Sequence, residues 1–179
     1  GATFGKFDRV LIREALVEFA KDWQRDFNQD MTGVRGRVTT KDMDRMKTAV
    51  ATEFKKVFSQ ELQSNDGYQV VEEATPTTLI LRPAILNLQV TAPDLQTGNM
   101  DTTLVRSAGQ MTLYLELWDS STNSILARIV DPQADSGMGG SALVANRASN
   151  KVAADEILKK WADKLRTQLD AVRANTDAT

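Results

Sequence analysis

Carboxylates are the residues whose types and spacing come nearest to chemistry in this chain. The stretch LWDSSTNSILARIVD, Leu117 to Asp131, carries an aspartate near each end, and Glu116 stands just before it. Glu72 and Glu73 are adjacent further upstream. A glycosidase needs two carboxyl groups facing one cleft, roughly 5 to 9.5 Å apart. Neighbouring residues of a strand point to opposite faces, which separates Glu72 from Glu73. Asp119 and Asp131 fall at opposite ends of a turn and the strand after it, about 20 Å apart. That is too far to share a proton or a metal, so both read as punctuation. Asp119 opens the turn Asp119-Ser120-Ser121-Thr122-Asn123 and can accept from its amides. Asn123 falls where a left-handed residue is wanted. Asp131 precedes Pro132 at the strand's exit.

Two glycine-bearing stretches raise the possibility of anion binding. GVRGRV, Gly33 to Val38, is basic, and GMGG spans Gly137 to Gly140. Neither has the spacing of a phosphate loop, and GMGG lacks the Lys-Ser/Thr that should follow, so both read as linkers. The chain contains no His and no Cys. This excludes Ser–His and Cys–His nucleophiles, thiol redox chemistry, disulfides and the usual His/Cys zinc sites. Carboxylate, Ser–Lys or oxygen-ligated metal chemistry is what remains, and no cofactor is expected.

A length of 179 residues allows one domain with a real core, expected over 1–179 with loose ends at 1–6 and 173–179. The net charge is −2, with no basic stripe, so nucleic acid is not an expected partner. The apolar runs are far too short to cross a membrane. Gly1 in place of Met fits an upstream segment having been removed.

The elements that must position these residues follow from periodicity. Thr39 to Asn65 is the clearest helix, with a capping-box-like start at Thr39-Thr40-Lys41-Asp42. Met43, Met46, Val50, Phe54, Val57, Phe58 and Leu62 form its apolar stripe, and Asp66-Gly67 ends it, with Gly67 suited to a left-handed cap. A second long helix runs from about Ser149 to Asn175, its stripe built on Ile157, Leu158, Trp161, Leu165 and Leu169. Tyr68 to Ala74 and Thr78 to Thr91 are strand candidates, with Leu86, Leu88 and Val90 facing one way and Pro83 at a bulge or edge. Gly109 to Trp118 is the next strand. Met111, Leu113, Leu115 and Leu117 face inward, and Thr112, Tyr114, Glu116 and Trp118 face outward. Ile125 to Val130 is its hairpin partner. Long loops cover 92–108 and 131–148. Phe7 to Ala20 is ambiguous. Phe7, Leu11, Ala15, Phe19 and Trp23 recur every four residues as in a helix, while VLI and LVEF read as strand. Short links imply antiparallel neighbours. The expected fold is α+β, a two-layer sandwich with a mainly antiparallel sheet of about five strands and two long helices on one face.

Three stretches together carry a resemblance: FDRVLI near the start, GQMTLYLELWDSSTNSILARIVD in the middle, and NKVAADEILKKWADKLRTQLDAV near the end. Their order and spacing resemble the domain of unknown function 3313 family, predicted lipoproteins of Gram-negative bacteria. The resemblance implies that Phe7 to about Glu18 is an edge or first strand. It also implies a signal peptide and a lipidated Cys upstream of this chain, and a place on the periplasmic side of the cell envelope. The family supplies no catalytic residues.

An envelope binding or assembly module is the function these observations favour, with no enzymatic activity expected. Its partner would be an envelope protein or glycan, and its membrane contact only the lipid anchor. Candidate contact residues are Met100 and Leu104 in one loop, Tyr114 and Trp118 on the outward sheet face, and Met138 and Leu143 in the other loop. The alternatives are a carboxylate-dependent hydrolase of envelope glycans and a structural homo-oligomeric component. A competing account of Trp118 has it packed under a loop or against the first segment.

Overall fold

The computed structural model describes residues 4–30, 37–90, 103–105, 109–134, 143–145 and 147–177. A single 3-10 turn, Phe4–Lys6, leads into strand β1 (Arg9–Ile12) and strand β2 (Leu16–Phe19). Helices α1 (Trp23–Asp30) and α2 (Thr40–Gln63) follow, then strands β3 (Gln69–Val70) and β4 (Thr78–Val90). Strand β5 (Thr103–Val105) precedes the hairpin of β6 (Gly109–Asp119) and β7 (Ser124–Ala134). Strand β8 (Leu143–Ala145) and helix α3 (Arg147–Asp177) complete the order. The fold is α+β, but among the described residues its main sheet is six-stranded and mixed, and the α-helices are three.

The strand order is β3-β1-β4-β6-β7, with β2 continuing beside β4 beyond β1. The long strands β4, β6 and β7 are antiparallel, as expected. β1 and β2 instead run parallel to β4, and β3 parallel to β1. The reason is the crossover. Two helices intervene between β2 and β3, and a helical connection returns the chain to the end from which it started. This corrects the mainly antiparallel expectation, which rested on the short links between successive strands.

The four-residue spacing from Phe7 to Trp23 is not helical. Val10, Leu11 and Ile12 are all buried, as in a strand covered on both faces. Nor is β1 an edge, since it lies between β3 and β4. Pro83 explains why β1 and β2 are separate. Leu81 turns its carbonyl toward β1 and accepts from the Arg13 amide at 2.9 Å. Two residues on, the Pro83 nitrogen faces the same way with no proton to donate, and the ladder breaks. Asn87, at φ 54, forms a bulge where the β4–β6 register shifts between Leu86 and Gln89. Leu86 and Leu88 therefore do not share a face. Leu88 joins the core, while Leu86 stands opposite Thr112. The strand expected over Tyr68 to Ala74 shrinks to β3.

Alternation in β6 holds. Met111, Leu113, Leu115 and Leu117 are buried with Leu79, Leu81, Ile85 and Leu88 of β4. Phe54, Phe58 and Leu62 of α2 and Leu158, Trp161, Leu165 and Leu169 of α3 complete this core. A second cluster gathers Trp23, Val38 and Met46, with Trp23 stacked between Phe19 and Phe27 at 4.6 and 5.3 Å. The second hairpin strand is longer than Ile125 to Val130, running through Pro132 to Ala134. Proline is tolerated there because β7 is at the end of the sheet, where its nitrogen can face outward. Within the described residues near the ends, Lys6 pairs with Asp119, and α3 runs to Asp177.

Thr39 caps α2 with its hydroxyl on the Asp42 amide at 3.1 Å, and Asp42 answers on the Thr39 amide at 2.9 Å. The other end departs from expectation. Asn65 and Asp66 take the left-handed conformations, at φ 50 and 55. Gly67 is needed for space instead, because a Cβ there would collide with the Leu62 carbonyl and the Arg166 guanidinium.

Candidate interaction surface

The two long helices cover one face of the sheet. Among the described residues, no helix covers the other. On that open face the register lines side chains up in ranks across the strands. Leu16, Ala84, Tyr114 and Val130 form one rank, with Leu16 59% and Val130 64% exposed. Arg82, Glu116 and Arg128 form the next. Leu11, Ile80, Trp118 and Ile125 form the third. Sheet faces left to water usually alternate to polar residues. This one keeps an exposed apolar rank beside the charged rank, while the third rank is largely closed, with Leu11 and Ile80 buried.

Glu116 is the centre of the face. It accepts from the Tyr114 hydroxyl at 3.0 Å, the Trp118 indole at 2.9 Å and the Arg128 Nε at 3.3 Å. These bonds, Trp118's first, hold its carboxyl below the ordinary glutamate range. The Arg82 guanidinium lies over the Trp118 ring at 4.5 Å. Trp118 is thus half-buried beneath an arginine of the neighbouring strand. Tyr114 and Trp118 are brought together with their polar tips tied to one carboxylate. Sequence reasoning found these two aromatics. It missed Leu16 and Val130, because their rank appears only once the pairing of β2 with β4 and β6 with β7 is known.

Asp119 is not part of this face. It accepts from Lys6 Nζ at 2.5 Å, from the Ser121 amide at 2.8 Å and from the Ser121 hydroxyl at 2.7 Å. Lys6, first among these causes, and Ser121 hold its carboxyl far below the aspartate range. Lys6 Nζ also reaches Ser121 Oγ at 3.2 Å, a Ser–Lys contact by distance. The hydroxyl proton points to the carboxylate, and the ammonium is neutralised by it. A lysine base needs the opposite, a desolvated neutral amine. Asn123, at φ 53, closes the turn with its amide on the Asp119 carbonyl at 2.8 Å.

Asp131 sits at the far end of β7, on the helix side. It accepts from the Trp161 indole at 3.1 Å and from Gln133 at 3.1 Å. It therefore fastens α3 to the sheet rather than marking a strand exit. Glu72 pairs with Lys55 of α2. A shallow groove runs beside α2, lined by Glu14, Ala51, Lys55, Lys56 and Ser59. Lys55 and Lys56 both have carboxylate partners, so neither offers a free charge there. Among the described residues, no acidic cluster could hold a metal ion.

Leu104 and Leu143 lie in the two-stranded sheet of β5 and β8, where Leu104 pairs with Val144 and Leu143 with Val105. The topology brings these two loop candidates to adjacent positions. Met100 and Met138 lie outside the described residues, as do GMGG and most of GVRGRV.

A profile for a protein of unknown function, DUF3313, matches residues 31–165. No curated protein matches the sequence. Among solved structures, the chain is similar to protein XCC0632 from Xanthomonas campestris. That likeness is 11% identical, covers 97% of this chain and 89% of the other, and has a TM-score of 0.50. The PelC dodecamer from Paraburkholderia phytofirmans is also similar, at 11% identity, 91% and 92% coverage and a TM-score of 0.45. At such identities the likeness concerns the fold alone.

Proposed function

We propose, for a chain that belongs to the DUF3313 family of proteins of unknown function, that the domain is a non-enzymatic binding module of the cell envelope working through its open sheet face. The observation that carries this reading is the rank Leu16–Ala84–Tyr114–Val130, whose outer members are more than half exposed. Apolar residues aligned over four strands, next to aromatics locked by hydrogen bonds, make a surface that loses little freedom on binding. Catalysis has no support from the carboxylates, since Asp119 is consumed by Lys6 and Ser121 and Asp131 by Trp161. The envelope location and the lipid anchor rest on the family resemblance. No helix among the described residues is long and apolar enough to cross a membrane.

Site-specific photocrosslinking in cells that make the full-length protein tests the reading. A crosslinker at Leu16 or Val130 should give a defined product, and one at the exposed Ala171 of α3 should not. Equal capture from both sides, or capture only from Ala171, would remove the open face from consideration. Metabolic labelling with a fatty acid tests the anchor.

A further inference from the structure

The open face has a charge opposite to that of the chain. The chain carries a net −2. Yet Arg82 and Arg128 are exposed on this face, Arg128 at 62%. By the pairing of Arg9 with Thr78, Arg9 belongs to it too, with its charge met by Asp8 at 3.7 Å. Glu116 is the acid in these ranks, and three donors already occupy it. The acids nearby are turned away. Glu18 reaches Lys47 of α2, and Asp131 reaches Trp161 of α3. Arg128 shares its charge with Glu116, so the charged rank keeps an excess of one arginine, Arg82.

We infer that the open face is the docking site for an acidic amphipathic segment of a partner protein. This rests on the binding-face reading above and names the chemistry of what binds. The geometry favours this occupant for three reasons. Arg82 is held over the Trp118 ring at 4.5 Å, which restrains the guanidinium, a group able to grip a carboxylate in a forked pair. The exposed apolar rank of Leu16 and Val130 lies two residues from the charged rank, about 7 Å along the strand, so one segment can meet both. A second copy of this chain would bring arginines against arginines, which disfavours self-association through this face. A sheet of anionic headgroups could not avoid Glu116, and the tips of Trp118 and Tyr114 are tied down rather than free to insert. A peptide can set its carboxylates over the arginines and away from Glu116.

The test uses the full chain and four probes. Two are designed amphipathic peptides with the same leucine pattern, one bearing glutamates and the other lysines. The third is phosphatidylglycerol vesicles, and the fourth is the protein itself in concentrated solution. Amide chemical shifts map the contact. The expected result is that the glutamate peptide perturbs β4, β6 and β7 residues of the open face while the lysine peptide does not. Arg128→Glu should weaken the glutamate peptide by at least about tenfold, as loss and reversal of an interfacial charge does. Arg82→Glu should do the same, with retained amide dispersion showing that each variant folds. Equal binding of both peptides overturns the acidic assignment. Binding to vesicles, or self-association through Val130, without response to the glutamate peptide overturns the partner while the binding face stands. If no probe shifts the open face, both readings fall.

Discussion

Replacing Arg166 tests how α2 and α3 are joined. The guanidinium enters the carboxyl end of α2, where the last carbonyls have no partners within the helix. Its Nη1 donates to the carbonyls of Glu61 at 3.1 Å, Leu62 at 3.2 Å and Ser64 at 2.6 Å. Its Nε holds Asp170 at 2.8 Å. The side chain is only 11% exposed, while Asp170 is half exposed, so the ion pair adds little and the carbonyl bonds dominate. A hydrogen bond from a charged donor contributes about 1.5–3 kcal/mol, and bonds from one group do not add fully. Taking two as lost after rehydration, Arg166→Ala should cost about 3 kcal/mol. For a chain of this size that is roughly 6–12 °C in Tm. Urea melts should show a lower midpoint at unchanged slope. Arg166→Met keeps much of the apolar stem and should recover little, because packing is the smaller part. The Tyr68 amide, bonded to the Leu62 carbonyl at 2.7 Å, should exchange faster in both variants. Stability within about 0.5 kcal/mol of the parent for either variant would refute the carbonyl clamp.

Gly67→Ala should destabilise by about 2 kcal/mol or more, and less in an Arg166→Ala background, since the new methyl would strike that guanidinium; a double-mutant cycle in urea measures the coupling. Asp131→Ala orphans the buried Trp161 indole and should cost about 2 kcal/mol, with the indole proton losing protection from exchange. Asn123→Gly should stay within about 1 kcal/mol of the parent, because glycine accepts the left-handed turn without strain; a marked fall in urea midpoint contradicts that geometry. Asp119 and Asp42, the latter chiefly through the Thr39 backbone bond, are held below their ordinary range. Depressed carboxyls contribute fully above the unfolded value near 3.9 and lose that contribution as pH falls through the folded values. Stability should therefore be flat from about pH 5.5 to 8 in a chain without His, then fall below about pH 4. Asp119→Ala should flatten that acid limb, and a transition near neutrality would count against the scheme.

Local pattern was enough wherever a residue's role depends on its near neighbours. The capping box at Thr39 and Asp42 and the stripe Phe54–Phe58–Leu62 are spelled within a few turns of one helix. The alternation from Met111 to Trp118 separates the two faces of β6 before any partner is known. Asn123 marks its turn by the same short-range chemistry. Pairing over distance decided the rest. Arg9–Ile12 and Leu16–Phe19 are strands because β4, more than sixty residues later in the chain, supplies the hydrogen bonds. Leu86 leaves its expected face because Asn87 bulges against β6. Gly67 is required by Arg166, a side chain from another helix. The open face exists only when four strands bring Leu16, Tyr114 and Val130 into one rank. No window of sequence contains them together, because side-chain direction is a local property and strand neighbours are not.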